Sequence, residues 1–284
     1  IDGELIKKYE DRIKGVGEFE EFERVVPLEE SGPNNKLWVW EFPSPNGQYI
    51  ISADNATAGG SDYCAAHVWD LDTMNQVAEF KDHINPADFG HFLSKLGLMY
   101  NEAFLVIENN SIGLAAVQAV LDDEYENLYW TKRGSDDFID PKNFHLIDND
   151  KDVIPGFSTN TKTRPLIIQK FQDYVNSEAC TINSLRTINE MWTFIWERGK
   201  AQASKGNHDD LIISMSIALW VRDHALKLIS LSTEQSKKKL EWLFKKEQKH
   251  AGLYTREKLI ENPYSMPVTP DGEQWNYAQD LFRK

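Results

Sequence analysis

Ala103-Phe-Leu-Val-Ile-Glu108-Asn109-Asn110-Ser111 is the stretch on which the reading of this chain turns. Four apolar residues in a row, with Val and Ile among them, read as a short buried strand. A carboxylate that closes such a strand is costly to bury unless it finds a partner. Two other segments repeat the theme. Gln48-Tyr-Ile-Ile-Ser-Ala-Asp54 is a second apolar run ended by an acid, and Asp209 and Asp210 stand directly before Leu211-Ile-Ile-Ser-Met-Ser-Ile-Ala-Leu-Trp220. Acids delivered by the ends of buried elements converge on a hard metal ion more naturally than on anything else.

The geometry this implies is specific. If Asp54 and Glu108 end neighbouring parallel strands, their backbones lie about 4.8 Å apart and both side chains can leave the same sheet edge. Mg²⁺ takes six oxygens at about 2.0–2.1 Å and keeps several waters, so a few carboxylates and substrate phosphate oxygens suffice. Two such ions about 3.5–4 Å apart activate a water on one side of a phosphodiester and stabilise the leaving oxygen on the other. Each acid also has a plainer reading. Asp54 can serve as a turn residue, Glu108 can be held in a structural pair, and one of Asp209 and Asp210 can cap the following helix while the other coordinates. Asp62, in Gly59-Gly-Ser-Asp62, can approach the same place to ligate the ion directly, to order its loop or to bond to the ligands. His208 can position water or phosphate, or satisfy a local hydrogen bond.

Around these acids the element order is that of a mixed α/β domain. Strands are expected at 37–40 and 49–53, joined across Pro45-Asn46-Gly47, and at 63–71 and 76–80, joined as a hairpin across Asp72-Thr-Met-Asn75, giving an antiparallel meander. A helix over 86–100 opens on Pro86; strand 104–108, a helix over 111–121 and a short strand at 127–130 follow. Residues 131–163 are polar and irregular, consistent with a functional loop or a small inserted hairpin. Helices are expected at 165–174, 184–196 and 208–229, with Trp192, Trp196 and Trp220 filling the core. Three antiparallel strands followed by alternating helices and strands is the order of an RNase H-like domain: a mixed five-stranded sheet flanked by helices. The organisation expected is a lead-in over 1–36, the domain proper over 37–230, and a charged C-terminal helical extension over 231–284.

Composition is compatible with this reading and limits it. The 284 residues are 41% hydrophobic and 12% aromatic, enough for a substantial core, and no run approaches a membrane span. Two cysteines, Cys64 and Cys180, support neither a disulfide framework nor a zinc cluster, and an intracellular protein is expected. The first residue, Ile1, suggests a piece of a longer or processed polypeptide. A formal charge of −14 argues for weak unaided binding to DNA, since phosphate affinity comes from Lys and Arg displacing counterions. Residues 226–258 run the other way, with nine Lys or Arg against four Glu. Lys237, Lys238, Lys239, Lys245 and Lys246 there form either a solvated face or a phosphate-binding surface.

The segments Ile51-Ser-Ala-Asp54 with Gly60-Ser-Asp62-Tyr63, Tyr100-Asn101, Val106-Ile-Glu108-Asn109-Asn110-Ser111-Ile-Gly113, Thr161-Lys-Thr-Arg164-Pro165 and Gly206-Asn-His208-Asp209-Asp210-Leu211 together resemble the C-terminal nuclease domain of the large terminase subunit of tailed bacteriophages. The resemblance spans about residues 37–230. It implies an RNase H-like fold close to RuvC resolvases and Mg²⁺- or Mn²⁺-dependent cutting of concatemeric double-stranded viral DNA during genome packaging. By position, Asp54 would be the acid shared by two metal ions, Glu108 the second ligand and Asp210 the third, with Asp209 adjoining. Lys162 and Arg164 would lie near the mouth of the site, as DNA-backbone contacts or as a solvated loop. The implied partners are double-stranded DNA, the portal protein, the small terminase subunit and a packaging ATPase domain of the same polypeptide, whose phosphate-loop motif does not occur here. The implied location is the host cell cytoplasm, transiently at the procapsid, with no membrane contact.

Other readings of the same residues remain open at this level. A RuvC-type junction resolvase or exonuclease would use the same acids. An ATPase or kinase of the actin and sugar-kinase kind would need paired phosphate-binding glycine loops, which only residues 54–60 faintly suggest. A docking module without catalysis would have no need of intact acids at all three positions.

Overall fold

The structure, a computed structural model, describes residues 1–222 apart from 22–23, 32–35, 58, 111–112, 133–152 and 198. The expected C-terminal extension, its lysine-rich helix and the end of the 208–229 helix lie outside the described residues.

Helix α1 (Gly3–Lys14) is capped by the Asp2 side chain, which accepts from the Glu4 N–H at 2.9 Å, and stops at Gly15 in the left-handed region, φ 62°. It buries Ile6, Tyr9 and Ile13. The strands that follow are β1 (Glu29–Ser31), β2 (Leu37–Val39), β3 (Tyr49–Asp54), β4 (Cys64–Asp70) and β5 (Gln76–Asp82). Then come α2 (Pro86–Met99), β6 (Phe104–Ile107), α3 (Gly113–Asp122), β7 (Trp130–Lys132), β8 (Val153–Pro155), α4 (Thr163–Asn176) and α5 (Leu185–Thr193). A hairpin of β9 (Phe194–Glu197) and β10 (Lys200–Ala203) leads to a helix over 210–222, α6.

The central sheet has six strands in the order β1-β2-β5-β4-β3-β6, and only the β3–β6 pair is parallel. This is a mixed α/β, RNase H-like architecture. Three details depart from expectation. The sheet has six strands rather than five, because β1 from the expected lead-in adds to the outer edge of β2. Strand β2 pairs with β5, not with β3 across the Pro45–Gly47 turn, so Leu37 faces Phe80 in register. Residues 127–129 touch the free edge of β6 through one parallel bridge, Leu105 to Leu128, and the strand proper is β7, paired with β8 in a small separate sheet.

Strands β3 and β6 are buried on both faces, which explains why they read as nearly continuous apolar runs. Alternation along a strand sends neighbours to opposite faces. Ile51, Ala53, Leu105 and Ile107 pack with Phe89, Phe92 and Leu93 of α2 and Ala116 and Val117 of α3. Ile50, Phe104 and Val106 pack on the other face with residues of α1, α4, α5 and α6. Ser52 belongs to that second face and meets Ser214 of α6, whose hydroxyl donates to the Ser52 carbonyl at 2.9 Å. Cys64 and Cys180 are buried free thiols. Among the described residues no helix is long and apolar enough to cross a membrane.

One expected helix is cut short. The spacing predicts 184–196, but α5 ends at Thr193 and Phe194-Ile-Trp196 turn into a strand. β-branched and aromatic residues suit the pleated form, and Gly199, at φ 79°, lets the chain reverse. Trp196 on the hairpin and Trp192 on α5 are exposed, at 56% and 43%, rather than buried in the core, whereas Trp220 packs partly against it.

Candidate metal centre at the end of the parallel strands

Parity fixes where the acids go. Asp54 follows Ser52 by two residues, and Glu108 follows Val106 by two, so both side chains fall on the face covered by α6. Their level is also matched. The parallel register runs Ile50 to Phe104 through Ala53 to Ile107, and the Glu108 N–H donates to the Ala53 carbonyl at 2.9 Å. The two carboxyl groups are close enough for Glu108 to act on the Asp54 carboxyl.

Surrounding groups hold Glu108 in place. Asn110 Nδ2 donates to Glu108 Oε1 at 3.0 Å and to the Thr159 carbonyl at 2.7 Å, and Asn55 Nδ2 donates to the Glu108 carbonyl at 2.9 Å. Gly113, at the start of α3, lies so close that a Cβ there would stand 1.9 Å from the Glu108 carbonyl oxygen.

The other two acids arrive from α6. Asp210 Oδ2 accepts from the Tyr63 N–H at 3.2 Å, which ties the start of α6 to the entrance of β4. Asp209 Oδ2 accepts from Arg164 Nη2 at 2.7 Å and from the Ala203 N–H at 3.3 Å. The expectation that one of these two carboxylates caps its own helix is therefore corrected. The N–H groups of Leu211 and Ile212 donate instead to Glu190 Oε2, at 2.9 and 3.2 Å. Neither aspartate is consumed as a cap.

Burial holds the Asp54 carboxyl well above the ordinary carboxylate range, reinforced by the charge and hydrogen bond of Glu108 and by the charges of Asp210 and Asp209. Burial also raises Asp210, against the opposing pull of the Tyr63 N–H and Lys81. Three carboxyl groups thus act on Asp54, an arrangement that a proton or a cation relieves. The donors are all oxygens, which suits a hard divalent ion rather than the nitrogen and sulfur set of structural zinc. His208 adds an orphaned polar atom to the same place. Its Nδ1 is buried without a hydrogen-bond partner, 3.8 Å from Asp210 Oδ2 and 3.6 Å from Asp62 Oδ1. Among the described residues, no three His, Cys, Asp or Glu side chains already surround one point as a ligand set. The carboxyls fit a hard cation by charge and chemistry, with closure of the side chains left to the ion.

Two clefts flank the acids. One, of about 360 Å³, is lined by Lys36, Tyr63, Lys81, Arg186, Glu190 and His208 among others. The other, of about 510 Å³, runs past Glu108, Asn110, Thr161, Arg164, Trp196 and Lys200. Arg164 thus lines the second cleft while paired to Asp209. Lys162 is exposed just before α4 and takes no part in that lining. Asp62 is largely exposed and lies beside His208.

Two residues escaped the sequence reading. Glu190 lies in the helical stretch Asn189-Glu190-Met191, where an acid is ordinarily a surface residue, yet it is buried, pairs with Lys81 Nζ, and is raised to about 7 mainly by burial. Lys81 itself sits 4.6 Å from the centre of the Tyr63 ring. No local pattern marks either one.

No protein-family model matches the sequence. The fold has solved counterparts. The large terminase nuclease from thermophilic phage G20c with bound magnesium superposes with a TM-score of 0.50 at 17% identity, covering 69% of this chain and 92% of that one. The cobalt-bound form of the same nuclease gives the same values. The Thermus phage P74-26 large terminase nuclease domain is similar at 20% identity and a TM-score of 0.48, over 68% of this chain and 88% of its own. This chain therefore shares the fold of large terminase nuclease domains.

Proposed function

We propose that this chain is the nuclease part of a viral DNA-packaging enzyme, an endonuclease that cuts concatemeric double-stranded DNA by hydrolysis dependent on two divalent ions, Mg²⁺ or Mn²⁺. The observation that carries the proposal is the meeting of Asp54 and Glu108 at the ends of adjacent parallel strands, with Asp210 and Asp209 acting on Asp54 from α6. The fold shared with the phage G20c nuclease, whose structures hold magnesium or cobalt, supports the same reading.

In this reading Asp54 is the central ligand, Glu108 and Asp210 flank it, and Asp209 adjoins through its contact with Arg164. Bound divalent ions supply a water of lowered pKa and charge stabilisation for the leaving oxygen. The chain's own part is to present acids on rigid elements. Strand β3 and helix α6 are tied by Ser52 and Ser214, so Asp54 and Asp210 are fixed relative to one another. Asn110 orients Glu108, and His208 stands where it can hold a water or a phosphate oxygen near Asp210. Arg164 offers a phosphate contact on the Glu108 side.

A chain of net charge −14 binds DNA weakly by itself. The reading therefore assigns the grip on DNA to partners: an ATPase domain of the same polypeptide, the small terminase subunit and the portal protein at a procapsid in the host cytoplasm. The test is relaxation of supercoiled plasmid by the purified chain. Cutting is expected with Mg²⁺ or Mn²⁺, and is expected to be lost with EDTA and in Asp54→Ala, Glu108→Ala and Asp210→Ala. Undiminished cutting by all three variants would contradict the proposal.

A further inference from the structure

We infer that Glu190 is a positioning residue for the metal centre, acting as a cap borrowed from α5 that sets the first turn of α6 and so leaves Asp209 and Asp210 free to face the site. The inference rests on the nuclease reading and adds to it a residue that touches none of the reacting atoms.

A helix begins with N–H groups that lack partners, and the residue just before it usually supplies an oxygen for the second or third of them. In α6 the Asp209 carbonyl accepts the first helical bond, from the Ile213 N–H at 2.9 Å, so Asp209 occupies the capping position. Its side chain is turned away, toward Arg164 and the Ala203 N–H, and the Asp210 side chain is turned to Tyr63. Both orphan N–H groups, those of Leu211 and Ile212, go to one oxygen of Glu190, 21 and 22 residues earlier in the chain.

That contact is held from behind. Glu190 is 6% exposed, and its other oxygen accepts from Lys81 Nζ of β5. The carbonyl of Leu211 is bonded by His67 Nε2 of β4 at 3.0 Å. The peptide units just after Asp210 are therefore clamped between α5 and the sheet. A local serine or aspartate cap would satisfy the same N–H groups without burying a carboxylate. What the distant cap adds is that two consecutive acids at the helix start keep their side chains for other work. Groups that orient metal ligands in this way typically cost about 10–100-fold in affinity when removed.

The test measures Mn²⁺ binding by isothermal titration calorimetry and Mn²⁺-dependent plasmid cutting, on the full chain, for Glu190→Ala, Glu190→Gln and the control Asn85→Ala. Asn85 caps α2 through the Ala87 N–H at 2.9 Å. Glu190→Ala is expected to raise the Mn²⁺ Kd by about 10–100-fold and to lower the cutting rate. Glu190→Gln keeps a carbonyl oxygen for the two N–H groups and is expected to recover most of the affinity. Asn85→Ala is expected to lower the melting temperature without moving the Kd. A wild-type Kd in Glu190→Ala, a Gln variant no better than Ala, or an equal loss in Asn85→Ala would each overturn the inference. If Glu190→Ala does not fold, Glu190→Asp carries the test, since its shorter arm is expected to raise the Kd and an unchanged Kd overturns the inference. Asp54→Ala and Asp210→Ala are titrated alongside. Wild-type Mn²⁺ affinity in those two defeats the nuclease reading itself, whereas loss there with none in the Glu190 variants defeats only this inference.

Discussion

Asp54 and Glu108 leave the sheet side by side, because the Glu108 N–H bonds to the Ala53 carbonyl at 2.9 Å and both side chains fall on the face that α6 covers. A single register error of one residue would send one acid to each face. Their closeness is paid for in electrostatics, since burial and mutual repulsion hold the Asp54 carboxyl far above its ordinary range.

Stability should fall as pH rises when divalent ions are chelated. The native Asp54 carboxyl is raised, so between the ordinary carboxyl range and its raised value the native state holds a proton that the unfolded chain has lost. Stability is then greatest below that window and declines on passing up through it. In EDTA, chemical denaturation at pH 5 and pH 7.5 should show a steeper decline for the wild type than for Asp54→Asn, which cannot ionise. Mn²⁺ should offset the wild-type loss at pH 7.5 and have little effect on the variant. Equal pH dependence in the two proteins would mean that the Asp54 shift is not borne by the fold.

Gly113→Ala should disturb the site through the backbone. A Cβ at Gly113 would stand 1.9 Å from the Glu108 carbonyl oxygen and 2.9 Å from its carbon, and backbone cannot give way as a flexible side chain can. The turn between β6 and α3 would have to open, at a cost of about 1–3 kcal/mol. Denaturant melts should show that loss, and metal-dependent cutting should fall further than the loss of folded protein explains. Wild-type activity per folded molecule would show that Glu108 tolerates the shift.

Arg164 and Lys162 should behave differently although they are two residues apart. Arg164 lines the cleft beside Glu108 and pairs with Asp209, whereas Lys162 is exposed outside that lining. Arg164→Ala should weaken DNA binding and flatten its dependence on salt by about one phosphate contact. Lys162→Ala should do little of either. Fluorescence-anisotropy titrations of a DNA duplex at several salt concentrations check both, and equal effects would remove the distinction.

Ser214→Ala should cost about 1 kcal/mol in urea unfolding, the ordinary worth of a hydrogen bond. It removes the tie from α6 to the Ser52 carbonyl, two residues before Asp54. Mn²⁺ affinity should weaken with it, because the two elements that deliver Asp54 and Asp210 lose their direct link.

Much of this arrangement is legible in the sequence because it depends on local pattern. An acid that closes Phe104-Leu-Val-Ile107 declares a strand end, and two-residue alternation places Asp54 with Ser52 and Glu108 with Val106. The helices α2 and α4 announce themselves by Pro86 and Pro165 near their starts. What could not be read is decided by distance in space. The partner of β2 is β5, with Val39 opposite Ala78 and Leu37 opposite Phe80, and the nearer β3 lies elsewhere. Glu190 resembles any polar residue on an amphipathic helix until α6 is seen to begin against it. Phe194-Ile-Trp196 continues a helical spacing, and only the hairpin with β10 shows that its strand preference wins.

The most direct measurement is a crystal of the chain soaked in Mn²⁺ and read for anomalous scattering. The account expects strong peaks between Asp54, Glu108 and Asp210, each within coordination distance of an Asp54 oxygen. Peaks confined to other carboxylates, or none near Asp54 at Mn²⁺ concentrations that support cutting, would contradict it.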